Sequence, residues 1–168
     1  ITTGVDLRLN RVTTISTDIT FTLYDSDKSN GEDSFDSGNK LIASMQYRRY
    51  FNYNDLWLFA RYRSRGKSHV LNNEGNRARA VENPNQVEVR GHYRWRINKK
   101  FAFKILGEGR FYQNTEDDFD GITLLGLGLA PEVKLSRELQ LLARFKYLTG
   151  AFENGADANG IEAGIGMA

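Results

Sequence analysis

The chain has 168 residues, which is enough for one domain and no more. Its net charge of +2 excludes binding of polyanions by bulk charge alone. The absence of cysteine excludes a disulfide scaffold, a thiol nucleophile and a thiolate-held metal.

No run approaches the roughly 20 apolar residues of a membrane helix, and no basic segment followed by an apolar one opens the chain as a secretion signal would. Two prolines stand against sixteen glycines and twenty aromatic residues, a balance that suits long strands. The mean hydropathy of −0.53 is low. A sheet that carries its apolar residues at every second position gives the same low mean.

Period-2 alternation predicts nine strands, about 3–11, 14–25, 40–50, 55–65, 86–97, 101–113, 121–134, 138–149 and 159–168. Each is close to the length that a tilted membrane strand needs. In the fourth segment Leu56, Leu58, Ala60 and Tyr62 alternate with Arg61 and Arg63. The fifth is the clearest, with Val87, Val89, Gly91, Tyr93, Trp95 and Ile97 on one face and Glu88, Arg90, His92, Arg94 and Arg96 on the other. In the eighth, Leu139, Leu141, Ala143, Phe145 and Tyr147 oppose Gln140, Arg144 and Lys146.

The expected connections alternate in length. Short turns fall near 11–14, 51–54, 98–100 and 135–137, and long polar loops near 26–39, 66–85, 114–120 and 150–158. This is the asymmetry of outer-membrane barrels, with short periplasmic turns and longer extracellular loops. For the hairpin around Asn98, a register in which paired residue numbers sum to 200 keeps both faces in phase. It sets Trp95 against Ile105, Tyr93 against Gly107, His92 against Glu108 and Arg96 against Lys104, with Glu88 diagonal to Arg110.

Alternation alone leaves two arrangements, a soluble barrel with its apolar face inside and an inverted membrane barrel. Large aromatics favour the second. Tyr47, Trp95 and Phe103 lie towards the short turns, and Tyr62, Phe111 and Tyr147 towards the long loops, where two interfacial girdles belong. The expectation is therefore a single all-β domain over 1–168, an antiparallel up-and-down transmembrane β-barrel. Such barrels have an even strand number, so nine segments point to ten strands, with twelve or eight as alternatives. The start at Ile1 and the glycine-rich end Gly164–Ala168 suggest that terminal strands are missing.

The pattern resembles that of bacterial outer-membrane barrels over nearly the whole chain. The stretches Val87-Glu88-Val89-Arg90 and Gln46-Tyr47-Arg48-Arg49 resemble strands of the small monomeric porins for acidic oligosaccharides. That resemblance implies arginine tracks that line a pore and guide anionic sugars.

On these strand phases the interior face holds Arg8, Arg48, Arg61, Arg63, Arg90, Arg94, Arg96, Lys104, Arg110, Arg144 and Lys146. Facing them are Asp6, Asp18, Glu88, Glu108, Glu132 and Glu162, which leaves an excess of five cations. Such a face in a narrow aqueous pore favours anions. In an interior barely wider than its own side chains, the same residues instead form a salt-bridged plug. The candidate pore-lining set is Arg48, Arg61, Arg63, Glu88, Arg90, His92, Arg94, Arg96, Lys104, Glu108, Arg110, Arg144 and Lys146.

Other constellations carry less. His92 opposite Glu108 has the composition of an acid–base dyad but no nucleophile, so it reads as a structural hydrogen bond. Ser68-His69 in the longest loop would be the pair of a lipid-modifying enzyme. The acidic loops, Asp25, Asp27, Glu32, Asp33 and Asp36 and then Glu116, Asp117, Asp118 and Asp120, read as solvated charge. Divalent-ion bridging to lipopolysaccharide is the functional alternative there. A calcium loop needs glycine at its sixth position, where this sequence has Asn30. Basic residues alternate with an apolar face instead of forming one patch, which argues against nucleic acid.

The expected function is an outer-membrane channel for small hydrophilic solutes, anions preferred, with no catalysis, no cofactor and no metal. Its partners are membrane lipid and lipopolysaccharide, and a larger membrane assembly is open. A non-conducting barrel acting through its loops is the alternative, and a lipid-modifying enzyme the third reading.

Overall fold

The computed structural model describes residues 1–24, 26–29, 32–72, 77–115, 120–136 and 138–167, with 26–29, 32–36 and 77–78 as backbone alone. Every regular element among them is a strand: β1 Thr2–Asn10, β2 Thr13–Thr22, β3 Ser26–Ser29, β4 Glu32–Asp36, β5 Lys40–Phe51, β6 Asn54–Arg65, β7 Ser68–Leu71, β8 Arg77–Val81, β9 Gln86–Arg96, β10 Phe101–Tyr112, β11 Ile122–Lys134, β12 Gln140–Phe152 and β13 Asp157–Met167. Nine form one antiparallel sheet in the order β1-β2-β5-β6-β9-β10-β11-β12-β13, each strand beside its neighbour in that sequence. These nine coincide with the nine expected segments to within about two residues at most ends.

Local chemistry closes the short turns. Asn52 takes φ 53°, the left-handed conformation that a two-residue hairpin requires and asparagine tolerates. Asn98 Oδ1 accepts from Lys100 N at 2.8 Å and Phe101 N at 2.9 Å, and Asn10 Oδ1 accepts from Val12 N at 3.0 Å. Ser136 Oγ does the same for Glu138 N and Leu139 N at 3.2 and 3.0 Å. Each short polar side chain takes up backbone N–H groups that the ladder leaves unpaired at the turn.

Five expectations need correction. The β9–β10 register sums to 198, not 200, so Trp95 faces Phe103, Gly91 faces Gly107, Glu88 faces Arg110 and Arg90 faces Glu108. A slip of two residues leaves every side chain on its own face, which is why alternation could not detect it. His92 consequently lies opposite Leu106, not Glu108.

The loops 26–39 and 66–85 are not irregular, because they carry β3, β4, β7 and β8, which join in a separate four-stranded sheet. The connection 150–158 is no long loop either. β12 runs on to Phe152, and a tight turn follows, with Phe152 N donating to Ala156 O at 2.8 Å and Gly155 at φ 87°. Tyr147, expected near a strand end, therefore sits well inside β12.

Finally, the sheet is open. Among the described residues β1 and β13 are not paired with each other. Nine strands in up-and-down order leave the first and last running the same way, so antiparallel bonding cannot join them.

The sheet is nevertheless strongly curled. Arg48 of β5 and Gln140 of β12 line one cavity of about 470 Å³. Five strand spacings would hold them about 24 Å apart in a flat sheet. Burial follows the curl. On the concave face Glu88 and Lys146 are 1% exposed, Glu132 3% and Asp55 4%, while the sole buried hydrophobic residue among those described is Ala102. The convex face carries exposed Val5, Leu7, Ile19, Met45, Leu58, Val89, Trp95, Ile105, Leu125, Leu127, Leu129, Phe145, Ile161 and Ile165. The usual order of a soluble domain, with large apolar residues inside and charges outside, is reversed.

Candidate functional site

All thirteen candidate residues share the concave face. Arg61, Glu88, Arg110 and Leu124 form one cross-strand row through the pairs Arg61↔Glu88, Glu88↔Arg110 and Arg110↔Leu124. The next row runs Phe59, Arg90, Glu108, Gly126 and Leu148, and the one after it Arg48, Trp57, His92, Leu106, Gly128, Lys146 and Glu162.

Three glutamates organise the cations. Glu88 contacts Arg61 across the strands and Arg90 along its own, with Arg110 Nε at 4.0 Å. Glu108 contacts Arg110, lies 3.6 Å from Arg90 Nε and binds Lys146 Nζ at 2.5 Å. Arg90 and Arg110 thus each touch both carboxylates and fuse them into one network. Lys146 extends it to Glu162, again at 2.5 Å, where Arg144 joins at 2.9 Å.

Glu132, nearer the short turns, takes Arg94 and Lys104 at 2.7 Å each and Gln140 Nε2 at 3.3 Å. Such carboxylates must keep their partners, since removing one leaves an uncompensated charge away from water.

Two contacts reach over an intervening strand. Arg94 of β9 spans β10 to Glu132 of β11, and Lys146 of β12 spans β11 to Glu108 of β10. The second is permitted by small residues beneath. A Cβ on Gly126 would stand 2.8 Å from Leu148 Cδ2 and 3.5 Å from Lys146 Cδ, and one on Gly128 would stand 2.5 Å from Phe145 O and 3.0 Å from Lys146 Cβ.

Arg63 and Arg96 form no ion pair among the described residues, and Arg63 Nε is buried without a hydrogen-bond partner. Towards the edge, Asp18 accepts from Ser44 Oγ. Arg8 turns back on its own turn, donating to Asn10 O at 3.4 Å.

Sequence reasoning missed Asp55, Trp57 and Phe59. Asp55 is buried between Arg48, 3.5 Å away, and His92 Nε2, 3.4 Å away. Trp57 stacks with Phe59 at 5.8 Å between centroids and 4° between planes, and with His92 at 5.3 Å and 27°. The signal was present, because the phase that puts Leu56, Leu58, Ala60 and Tyr62 on one face puts 55, 57 and 59 with Arg61. The strand registers also bring Lys40, Arg65 and Lys134 to this face, so that among the described strands fourteen cations face seven carboxylates, Asp55 included.

The pair Ser68-His69 is not assembled as a site. Neighbouring strand residues point to opposite faces. Ser68 Oγ is buried and accepts from Gly38 N at 3.2 Å and Asn83 Nδ2 at 3.0 Å, tying the segments around 38, 68 and 83 together.

The acidic side chains of 25, 27, 32, 33 and 36 and of 116–118 lie outside the described residues. Asp120 accepts from Asn154 Nδ2 at 2.7 Å.

No protein-family profile and no curated protein matches this chain.

Proposed function

We propose that the curled sheet is the wall of an outer-membrane channel that passes small hydrophilic solutes, anions preferred. One observation carries this reading, the reversed burial. An apolar convex face of about 25 Å height is what lipid requires of a barrel wall, and a charged concave face is what water-borne solutes require of a lumen. Antiparallel closure needs an odd number of further strands between β1 and β13, from the same polypeptide or from a larger membrane assembly. The joined loop sheet β3-β4-β7-β8 would stand at the extracellular mouth, facing lipopolysaccharide.

The cationic excess on the concave face supports the preference for anions. The test is conductance in a planar bilayer with a salt gradient. A reversal potential of the sign set by anion flow is expected. Absence of conductance, or cation preference, overturns the proposal.

A second reading has an observation of its own. Glu88, Glu108 and Glu132 each hold two or more cations, and a face so neutralised fits a non-conducting barrel that acts through its loops. Folded insertion without any current would favour it.

A further inference from the structure

The short turns leave a small recess at their end of the concave face. It encloses about 100 Å³ beside the β9–β10 turn, with Arg96, Asn98, Lys99, Lys100, Glu132 and Lys134 in its wall. Arg96, Lys99, Lys100 and Lys134 form no ion pair among the described residues. Glu132, the one carboxylate of this wall, is already held by Arg94 and Lys104 at 2.7 Å each.

Sheet geometry brings two of the free cations together. The β10–β11 register pairs Phe101 with Val133, and one step beyond it Lys134 N donates to Lys100 O at 2.8 Å. Lys100 therefore stands against Lys134, and the pair Arg96↔Ala102 sets Arg96 on the diagonal. Like charges directly opposite destabilise a strand pair. In the middle of the face a glutamate stands between the cations, Glu88 for Arg61 and Arg90 and Glu108 for Arg110 and Lys146. At the turn end the two lysines have none.

Charge and size together select the ligand. Ammonium and guanidinium groups only donate, so what they hold must be all acceptor. Two adjacent uncompensated cations with a third on the diagonal are matched better by an anion of two charges than by one of a single charge. A space of about 100 Å³ is below the range that holds organic ligands, roughly 300–1,000 Å³.

We infer that this recess binds a compact divalent oxyanion of the sulfate or hydrogen-phosphate type, dissolved in water, between Lys100, Lys134 and Arg96. The inference rests on the channel reading only for the route by which the anion arrives, since the recess would lie at the short-turn mouth of the lumen.

The test is calorimetric titration of the protein in an uncharged detergent at low salt with sulfate, perchlorate (the same tetrahedron with one charge) and glutarate (two charges held further apart). Sulfate should bind at least about tenfold more tightly than either, the discrimination that one further charge-assisted hydrogen bond provides. Lys100→Gln and Lys134→Gln should each reduce sulfate to the level of perchlorate. Both positions are exposed, and the far-ultraviolet strand signal should be retained. Arg49→Gln removes a charge at the same end from the opposite face, where Arg49 pairs with Leu56, and should leave sulfate binding unchanged.

Perchlorate or glutarate binding as tightly as sulfate overturns the inference. So does an equal loss in Arg49→Gln, because bulk charge would then suffice. If the recess takes a lipid phosphate instead, phosphatidylglycerol added to the micelles will bind while sulfate does not, and the site for a dissolved anion falls. Sulfate binding with this selectivity in a protein that carries no current would uphold the site while the channel falls. Current without such binding would do the reverse.

Discussion

Lys146 of β12 lies across Gly128 and Gly126 of β11 and meets Glu108 of β10 with its Nζ 2.5 Å from the carboxylate. At this crossing the strand beneath presents only glycine to the same face, so the lysine side chain lies directly over the backbone. The two side chains are 2% and 6% exposed, so the contact fixes the local curl of the sheet as well as pairing two charges.

Gly128→Val tests that relationship. The new Cβ would fall 2.5 Å from Phe145 O and 3.0 Å from Lys146 Cα. Overpacking of this kind costs about 1–3 kcal/mol, so the midpoint of denaturant unfolding in detergent should fall. Gly107→Ala on the convex face, where a Cβ would meet nothing within 4 Å, should change it by no more than about 0.5 kcal/mol.

Glu88→Gln removes the carboxylate that holds Arg61, Arg90 and Arg110 together, at a position 1% exposed. Breaking a buried pair from one side destabilises by about 3–5 kcal/mol. Arg61→Gln added to Glu88→Gln should cost less than the sum of the two single changes, because the neutral pair leaves one fewer unmatched charge. A double-mutant cycle of unfolding free energies measures the coupling. Strict additivity would show that the two residues do not act as a pair.

The convex face offers the sharpest test of where the protein resides. Leu127, near the middle of β11, is 75% exposed. In lipid, Leu127→Arg should oppose folding into phosphatidylcholine vesicles by about 2–4 kcal/mol, the midplane value for a barrel wall. On a water-facing surface the same change would be worth no more than about 0.5 kcal/mol, and that result would remove the membrane reading.

Selectivity should depend on which arginines have partners. Arg63 and Arg96 have no ion pair among the described residues, whereas Arg94 is bound to Glu132 at 2.7 Å. Under the proposed channel function, Arg63→Gln and Arg96→Gln should each move the reversal potential towards zero in a salt gradient. Arg94→Gln removes a cation but frees a carboxylate, so its effect should be larger and accompanied by lost stability. Equal and small shifts for all three would show that the face does not set ion preference.

Alternation alone determined that the chain is all-β, where its nine long strands run, and that Arg61, Glu88, Arg94, Lys146 and the other candidates share one face. Each of those statements depends only on the two-residue period of a strand, which is local. Asp55, Trp57 and Phe59 were also legible in that period, had the phase of β6 been followed to the turn. Four matters belonged to the tertiary structure.

The β9–β10 register differs by two residues from the expected one, and no face pattern detects an even slip. The strands β3, β4, β7 and β8 are short, and they exist as a sheet because β4 pairs with β7 across more than thirty residues of chain. Burial direction was decided by the curl, which turns Glu88 and Lys146 inward and leaves Leu127 outward. Last, the partners of the charges are set by reach over neighbouring strands, as from Lys146 to Glu108, and the two glycines that allow it mean little until β11 is laid between them.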